Sequence, residues 1–331
     1  MEKVTLEEKK EIAVLIPAYN AETTIVRAID SVKQQTYPYW KVYVIDDNSE
    51  DNTINVIKEM AYEEPRIIVL SSLREKGKTC ALRFGIDHIR NADYIMFLDS
   101  DDWLKNTELF KILMFEMSNE KAECICFNYL IKGKLGFPKL SEKIILLSNE
   151  EYLKNILNRQ YMDGNLWSGI YQYKRVKEGF SVQKFNHEDY RNKYDIIKDC
   201  DKIIILPIVG YEYYTNPDGI THKAIQDKDK YYYIHAKEFT NNIMTAYPAL
   251  RLECDYFVNW VLLWTISRLA DCKDAKKMDM YVPMMREAKR NFRVFMKNRY
   301  FSGQDRITYL LIRFKVYRTA HKIYQKIKKC K

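Results

Sequence analysis

Residues 94–104 read YIMFLDSDDWL, which sets three carboxylates, Asp99, Asp101 and Asp102, within four positions straight after an apolar run. Like charges this close repel, and burying any of them raises its pKa unless a cation or a set of hydrogen-bond donors compensates. The D-x-D spacing suits a divalent cation. Two carboxylates on one tight turn offer hard oxygens to Mg2+ or Mn2+ and leave coordination positions for phosphates and water. The chain has no G-x-G-x-x-G or G-x-x-x-x-G-K-[ST] loop with which to bind phosphate through backbone N–H groups. A bound metal is therefore expected to take over that role.

The turn needs a scaffold, and the apolar pattern supplies one. Period-2 and continuous apolar runs, read as strands at 12–16, 41–45, 66–70 and 94–98, alternate with helix-period segments at 21–35, 51–63 and 79–90, the pattern of parallel strands joined by crossover helices. Pro38 and Pro65 punctuate the returns to strand. In such a sheet, ligands bind outside the carboxyl ends of the strands. Here the first strand ends in Pro17-Ala18-Tyr19-Asn20 with Glu22 following, the second in Asp46-Asp47-Asn48-Ser49, and the fourth in the aspartate turn. Each has a plainer explanation, with Asn20 as a helix cap and residues 47–49 as a turn. Three polar strand ends in one sheet point to a shared ligand.

Farther on, a helix is expected at 106–119, a strand at 124–131 leading into a hairpin, and a helix at 150–159. An irregular region at 161–187 follows, then a helix after 188 and strands at 202–206 and 209–214. From 227 onward the pattern is helical. The expected organisation is an α/β domain over 1–226 and a helical C-terminal region over 227–331.

With 331 residues, 47% hydrophobic and 30% charged, the chain can bury a sizeable core. The opening MEKVTLEEKKEIAVLIP carries acids where a secretory leader would be basic and then apolar, so no export signal is expected. Seven scattered cysteines without a C-x-x-C pair suit reduced thiols in the cytoplasm. The most apolar segment, 256–270, is too short to span a bilayer and contains Asn259 and Arg268, which fits a buried helix. Of the net charge of +9, residues 305–331 contribute +8, with nine Lys or Arg against one acid. The body is thus nearly neutral, which argues against nucleic-acid binding.

Taken together, VLIPAYNAE, VIDDNSEDNT, GKTCALRFGI and FLDSDDWL, in that order and at these intervals, resemble the family-2 glycosyltransferases, nucleotide-sugar enzymes of the GT-A fold. NLWSGIYQYKRV, HEDY and YEYYTNPDGITH are similar to that family's acceptor-side region, acidic catalytic motif and closing segment, so the resemblance covers about 12–222. It implies a Rossmann-like, mostly parallel sheet flanked by helices. It also implies inverting transfer of a sugar from a UDP-sugar to a hydroxyl of a glycan acceptor, in cell-surface polysaccharide synthesis. Pro17, Tyr19 and Glu22 would line the nucleoside pocket, Asp46 or Asp47 would hold uracil or ribose, and Asp99 would lie near ribose and metal. Asp101 would be the direct metal ligand, and Asp102 would face the donor sugar or the acceptor. Asp189 matches the general base, with Glu188 beside it, although acids at a helix N-terminus also complement the helix dipole. Lys78 and Arg83 fall in the phosphate-side segment, where Arg83 replaces the family's Asn. Trp167 is placed either as a platform for a sugar face or as a core ring. The stretch containing it lacks the family's usual Lys. His222 stands where a closing segment could reach the pyrophosphate or a metal.

From Ile307, apolar residues at Leu310, Leu311, Phe314, Tyr317, Tyr324 and Ile327 alternate with Lys and Arg, which describes an amphipathic helix with a cationic face. Such a helix can lie on an anionic membrane or pack with its basic face in water. Membrane contact would bring a cytoplasmic enzyme to a lipid-linked acceptor. Two other functions share parts of this pattern: a D-x-D phosphatase or phosphotransferase using its first Asp as nucleophile, and a non-catalytic nucleotide-binding partner in a membrane assembly.

Overall fold

In the computed structural model, the apolar runs become parallel strands, largely buried at Ile12–Ala18, Trp40–Asp46 and Tyr94–Phe97 and partly exposed at Ile67–Ser71. The structure describes residues 9–71, 76–137, 143–159, 162–182, 189–215, 225–272 and 274–314, with 316, 317 and 319. Glu188, His222 and residues 320–331 of the basic tail lie outside the described residues.

The described elements run β1 (Ile12–Ala18), α1 (Ile25–Lys33), β2 (Trp40–Asp46), α2 (Thr53–Glu63), β3 (Ile67–Ser71), α3 (Lys78–His88) and β4 (Tyr94–Phe97). They continue with β5 (Trp103–Leu104), α4 (Leu109–Glu120), β6 (Cys124–Ile131), β7 (Lys134–Leu135), β8 (Ile145–Leu147), α5 (Asn149–Asn158), β9 (Gly169–Gln172) and α6 (Tyr173–Gly179). Then come α7 (Asp189–Ile197), β10 (Ile203–Tyr213), α8 (Lys230–Ala246), α9 (Arg251–Asp271), α10 (Tyr281–Arg290), α11 (Phe292–Lys297) and α12 (Gly303–Arg313). The chain divides into two compact units. One holds the described residues up to Leu153, with 162–182 and 189–215; the other holds 154–159 and those from 225 onward.

The first unit is built on a sheet of order β3-β2-β1-β4-β9-β6-β10-β5, with β7 added beside β6 and β8 beside β10. β1 lies parallel to both β2 and β4, with Ala18 opposite Asp46 and Leu15 opposite Phe97. Their carboxyl ends therefore open on one edge, as the alternation of strand and helix requires. β9 runs antiparallel between β4 and β6. At Gly85, a Cβ would meet Ile45 Cδ1 at 2.8 Å and Leu15 Cδ2 at 3.0 Å, so the missing side chain lets α3 lie close on β1 and β2.

Two expectations need correcting. Residues 161–187 are not irregular throughout, since they contain β9 and α6. β9 is only four residues long and starts at a glycine, too short for a periodicity to register. The two strands expected at 202–206 and 209–214 are one, β10, whose pairing with β6 shifts register between Leu206 and Val209. Pro207 falls in that shift, where a residue without an N–H can be carried by a strand.

The second unit is helical throughout its described residues. α8 and α9 pack through the edge-to-face pair Phe239–Phe257, and Phe295 stacks on Phe301 and Tyr309 with centroids 3.7 and 4.1 Å apart. α9 contains the apolar 256–270 segment, and no described helix is long and apolar enough to cross a membrane. α12 opens on a capping box, in which Ser302 Oγ accepts from Asp305 N and Asp305 accepts from Ser302 N. It buries Tyr309 and Ile312 and leaves Ile307, with Phe314 just past its end, exposed, at 60% and 68%. The six described cysteines are free thiols.

Candidate active site

Three loops at the carboxyl edge of the sheet form the site. In the first two, Asn20 and Asn48 take left-handed conformations, with φ of 49° and 59°. Asparagine tolerates this region because its short polar side chain bonds locally. Asn20 N donates to Ser49 Oγ at 3.0 Å, and Asn20 Oδ1 accepts from Glu50 N at 2.8 Å. Glu22 Oε2 accepts from Asn52 N at 2.8 Å, while Ala21 N donates to the buried Thr53 Oγ1 at 2.7 Å. Both carboxylate oxygens of Asp46 face Ser49 N at 3.3 and 3.4 Å. Asn20, Glu22 and Asp46 thus knit the ends of β1 and β2 together.

Asp47 is different. It is buried, and its Oδ2 accepts from Gly77 N at 2.7 Å. Its Oδ1 is buried with no hydrogen-bond partner. Burial raises its pKa, with the Gly77 N–H and Lys76 pulling the other way. A buried unpaired acceptor costs about 1–3 kcal/mol, and a ligand N–H or O–H would relieve that cost. Tyr19 stands beside it half exposed, with Lys76 Nζ 6.0 Å from its ring centroid. Pro17 contributes its position at the end of β1, opposite Ile45.

The aspartate turn is held from beneath. Tyr211 Oη donates to Asp102 Oδ2 at 2.7 Å and accepts from Asp99 N at 3.2 Å, while Tyr214 N donates to Asp102 Oδ1 at 2.7 Å. Asp102 is fully buried. Burial first, and then the charges of Asp99 and Asp101, push its carboxyl up to about 8 against the pull of Tyr211 and Tyr214. Both its oxygens are engaged by protein donors, and it is the carboxylate that was expected to face the donor sugar or the acceptor. Asp99 points the other way, and Lys78 Nζ, at the N-terminus of α3, lies 2.7 and 2.9 Å from its two oxygens. Arg27 donates to the Asp101 carbonyl at 2.7 Å and lies over the Trp103 and Tyr214 rings. The Asp101 side chain remains partly exposed.

Asp189 opens α7 half-buried. Burial raises its pKa. Lys78 and Lys193 pull it down, while Asp99 and Asp163 push it up, so Asp189 lies within electrostatic reach of Asp99 and its lysine partner. Gly164 admits the Tyr190 ring, which an added Cβ would strike, and so couples the 162–168 loop to the first turn of α7.

The sequence pattern did not reveal Asp163, Lys193 or Tyr211. Asp163 is buried and accepts from Tyr129 Oη at 2.9 Å. Lys193, one turn beyond Asp189, is fully buried. Its ammonium donates to Asn165 O at 3.2 Å, to Cys126 Sγ at 3.3 Å and to the Tyr171 hydroxyl. Burial alone would push the Cys126 thiol up, but the Cys124 hydrogen bond and the Lys193 ammonium outweigh it and bring it down to about 6. The i, i+4 spacing of Asp189 and Lys193 on one helix face was the available signal.

Two other expected residues do structural work. Arg83 pairs with Asp87 and donates to the carbonyls of Lys177 and Phe180, at 3.2 and 3.1 Å, so it pins α6 to α3. Trp167 is buried, stacked on Tyr211 with centroids 4.5 Å apart and set edge-on to Tyr129. Its ring supports the tyrosine under the turn.

Among the described residues no group of three or more His, Cys, Asp or Glu is arranged to hold a metal. The candidate donors on the turn are the hard oxygens of Asp99 and Asp101. They suit a cation whose remaining positions are filled by phosphate oxygens and water, and Lys78 already occupies Asp99.

The mostly parallel sheet flanked by helices is that of a GT-A fold. Residues 13–180 match the profile described as Glycosyl transferase family 2. The chain is 37% identical over 274 residues to the Escherichia coli UDP-Glc:alpha-D-GlcNAc-diphosphoundecaprenol beta-1,3-glucosyltransferase WfgD, covering 80% of this chain and 98% of that protein. The chain belongs to glycosyl transferase family 2. Its fold is similar to that of S. aureus TarS 1–349 in complex with UDP-GlcNAc, with a TM-score of 0.62, 15% identity, and 96% and 92% of the two chains covered. It is also similar to the mannosyltransferase PcManGT from Pyrobaculum calidifontis in complex with GDP-Man and Mn2+, with a TM-score of 0.55, 13% identity, and 97% and 89% covered.

Proposed function

We propose that this chain transfers glucose from UDP-glucose, with inversion, to a hydroxyl of a lipid-diphosphate-linked glycan in cell-surface polysaccharide synthesis. The observation that carries the reading is the unpaired Asp47 acceptor and the Lys78-bound aspartate turn at the carboxyl edge of one sheet, with Asp189 within electrostatic reach of Lys78 and Asp99. The relative that covers nearly its own full length supports this choice of donor and acceptor.

The nucleoside would lie against Tyr19, with an N–H or O–H given to Asp47 Oδ1. Asp189 would take the proton of the acceptor hydroxyl, since a neutral hydroxyl is a poor nucleophile without a base in hydrogen-bond reach. The acceptor oxygen then bonds to the sugar C1 as the bond from C1 to the β-phosphate oxygen breaks, and its electron pair leaves with UDP. Asp101, with Asp99 beside it, would hold Mn2+ or Mg2+, which when bound would supply positive charge to the departing diphosphate. Lys78 adds a fixed cation beside the same turn. Burial raises the basicity of Asp189, which suits a base. The α/β part, 1–226, would carry this chemistry. The basic residues from 305 onward, with the exposed Ile307 of α12 and Phe314 just past its end, would rest on the anionic cytoplasmic leaflet.

The test is to supply UDP-Glc, UDP-Gal, UDP-GlcNAc and GDP-Man separately with a synthetic GlcNAc-diphospholipid, with and without Mn2+. The reading predicts a β-linked disaccharide from UDP-Glc alone, formed only with the metal. No product from any donor, with UDP binding intact, would favour a non-catalytic nucleotide-binding role.

A further inference from the structure

The helical unit holds a cavity of about 260 Å3 that the transfer reaction does not use. Its walls come from α8, α9, α10 and α11, all within that unit. On the α9 side, Asn259 is only 3% exposed, and its Nδ2 donates to the Asp255 carbonyl at 2.7 Å. That bond fixes the orientation of the amide, and Asn259 Oδ1 is left buried with no partner. One turn earlier, the Asp255 carboxylate takes no hydrogen bond or ion pair from any described residue, and burial raises its pKa against the pull of Arg251. This wall therefore presents one buried acceptor without a donor, Asn259 Oδ1, beside a partly exposed carboxylate, Asp255.

The facing wall has the opposite character. Glu287 accepts from Tyr233 Oη at 2.9 Å, and Lys237 and Arg290 stand 3.6 and 3.8 Å from its oxygens. At those distances the cations are paired but not hydrogen-bonded, so their N–H groups stay available. Met244, Val258 and Val294 add apolar surface.

We infer that this cavity is a second carbohydrate site, which takes a single uncharged sugar ring in the helical unit. An anion would meet Asp255 and Glu287, and a cation would meet Lys237 and Arg290. A neutral polyol meets neither repulsion: its O–H groups satisfy Asn259 Oδ1 and Asp255, its oxygens accept from Lys237 and Arg290, and its C–H face covers the apolar residues. The volume lies below the roughly 300 Å3 at which pockets for drug-sized ligands begin, which selects one ring over an oligosaccharide. The inference does not depend on the identity of the donor or acceptor at the catalytic site.

The test is saturation-transfer NMR on the full chain with methyl β-D-glucopyranoside, in the presence of saturating UDP and Mn2+ to fill the nucleotide part of the catalytic site and a GlcNAc-diphospholipid analogue to fill its acceptor part. Binding should persist with UDP and the analogue, and glucuronate and glucosamine should bind at least tenfold more weakly. Asn259→Leu, which replaces the unpaired amide by an apolar side chain of similar size, should raise the glucoside Kd at least tenfold. Asp255→Asn, on the partly exposed wall, should do the same if Asn259→Leu fails to fold. Absent binding, binding abolished by UDP or the analogue, or unchanged affinity in the folded variants would overturn the inference.

Discussion

Tyr211→Phe removes one oxygen and leaves the ring that stacks on Trp167 in place. No cavity of consequence forms, so the substitution isolates the hydrogen bonds. Two groups lose their partner: Asp102 Oδ2, bonded at 2.7 Å, and Asp99 N, bonded at 3.2 Å. Each orphaned group costs about 1–3 kcal/mol when water cannot replace the partner. Asp102 is fully buried and should sit at the high end, while Asp99 is part-buried and should sit at the low end. The expected destabilisation is therefore about 2–4 kcal/mol in urea unfolding at pH 7. The same loss frees the turn that positions Asp99 and Asp101, and misplacement of about 1 Å can cost a hundredfold in rate. A UDP-release assay should show kcat down by about ten- to a hundredfold on that basis, with acceptor KM little changed. A variant with less than about 0.5 kcal/mol of destabilisation, within the ordinary range of surface changes, and with unaltered kcat would refute the reasoning.

Lys193→Met should move the acid limb of the kcat/KM profile to higher pH. The ammonium holds the pKa of Asp189 down, and a base works only above its pKa, so removing the cation narrows the active range from below. An unmoved limb in a folded variant would show that Lys193 does not act on Asp189. Gly164→Ala places a methyl against the Tyr190 ring and should destabilise by about 1–3 kcal/mol. Because it displaces the first turn of α7, kcat should fall more than donor affinity; an equal loss in both would point to general unfolding. Removing residues 315–331 should leave transfer to a soluble short-chain acceptor unchanged and reduce sedimentation with anionic liposomes. An unchanged bound fraction would assign the basic residues a different purpose.

The parallel half of the sheet was legible because β1, β2 and β4 are period-2 or continuous apolar runs, and because each ends in residues that a buried strand would not carry. The aspartate turn announced itself through charge crowding. What supports it did not, because Tyr211 lies 109 positions from Asp102 and reads locally as one aromatic among several in a strand. Lys193 was hidden for a related reason. A lysine on a helix is read as solvated, and only the fold brings Asn165, Tyr171 and Cys126 around its ammonium. The three adjacent acids could not be ranked by spacing alone. The structure separates them by burial, sealing Asp102, pairing Asp99 with Lys78 and leaving Asp101 at the surface of the site.

In the proposed reaction Asp189 removes the proton of the acceptor hydroxyl while other residues of the site hold the donor. Asp189→Asn keeps the shape of the side chain and removes its basicity. Single-turnover transfer from UDP-glucose, measured beside UDP-glucose affinity by calorimetry, should fall by at least about a hundredfold, the lower range for loss of a general base. Donor affinity should stay within about twofold, less than 0.5 kcal/mol on the usual scale. Full transfer activity in the folded variant would contradict the account.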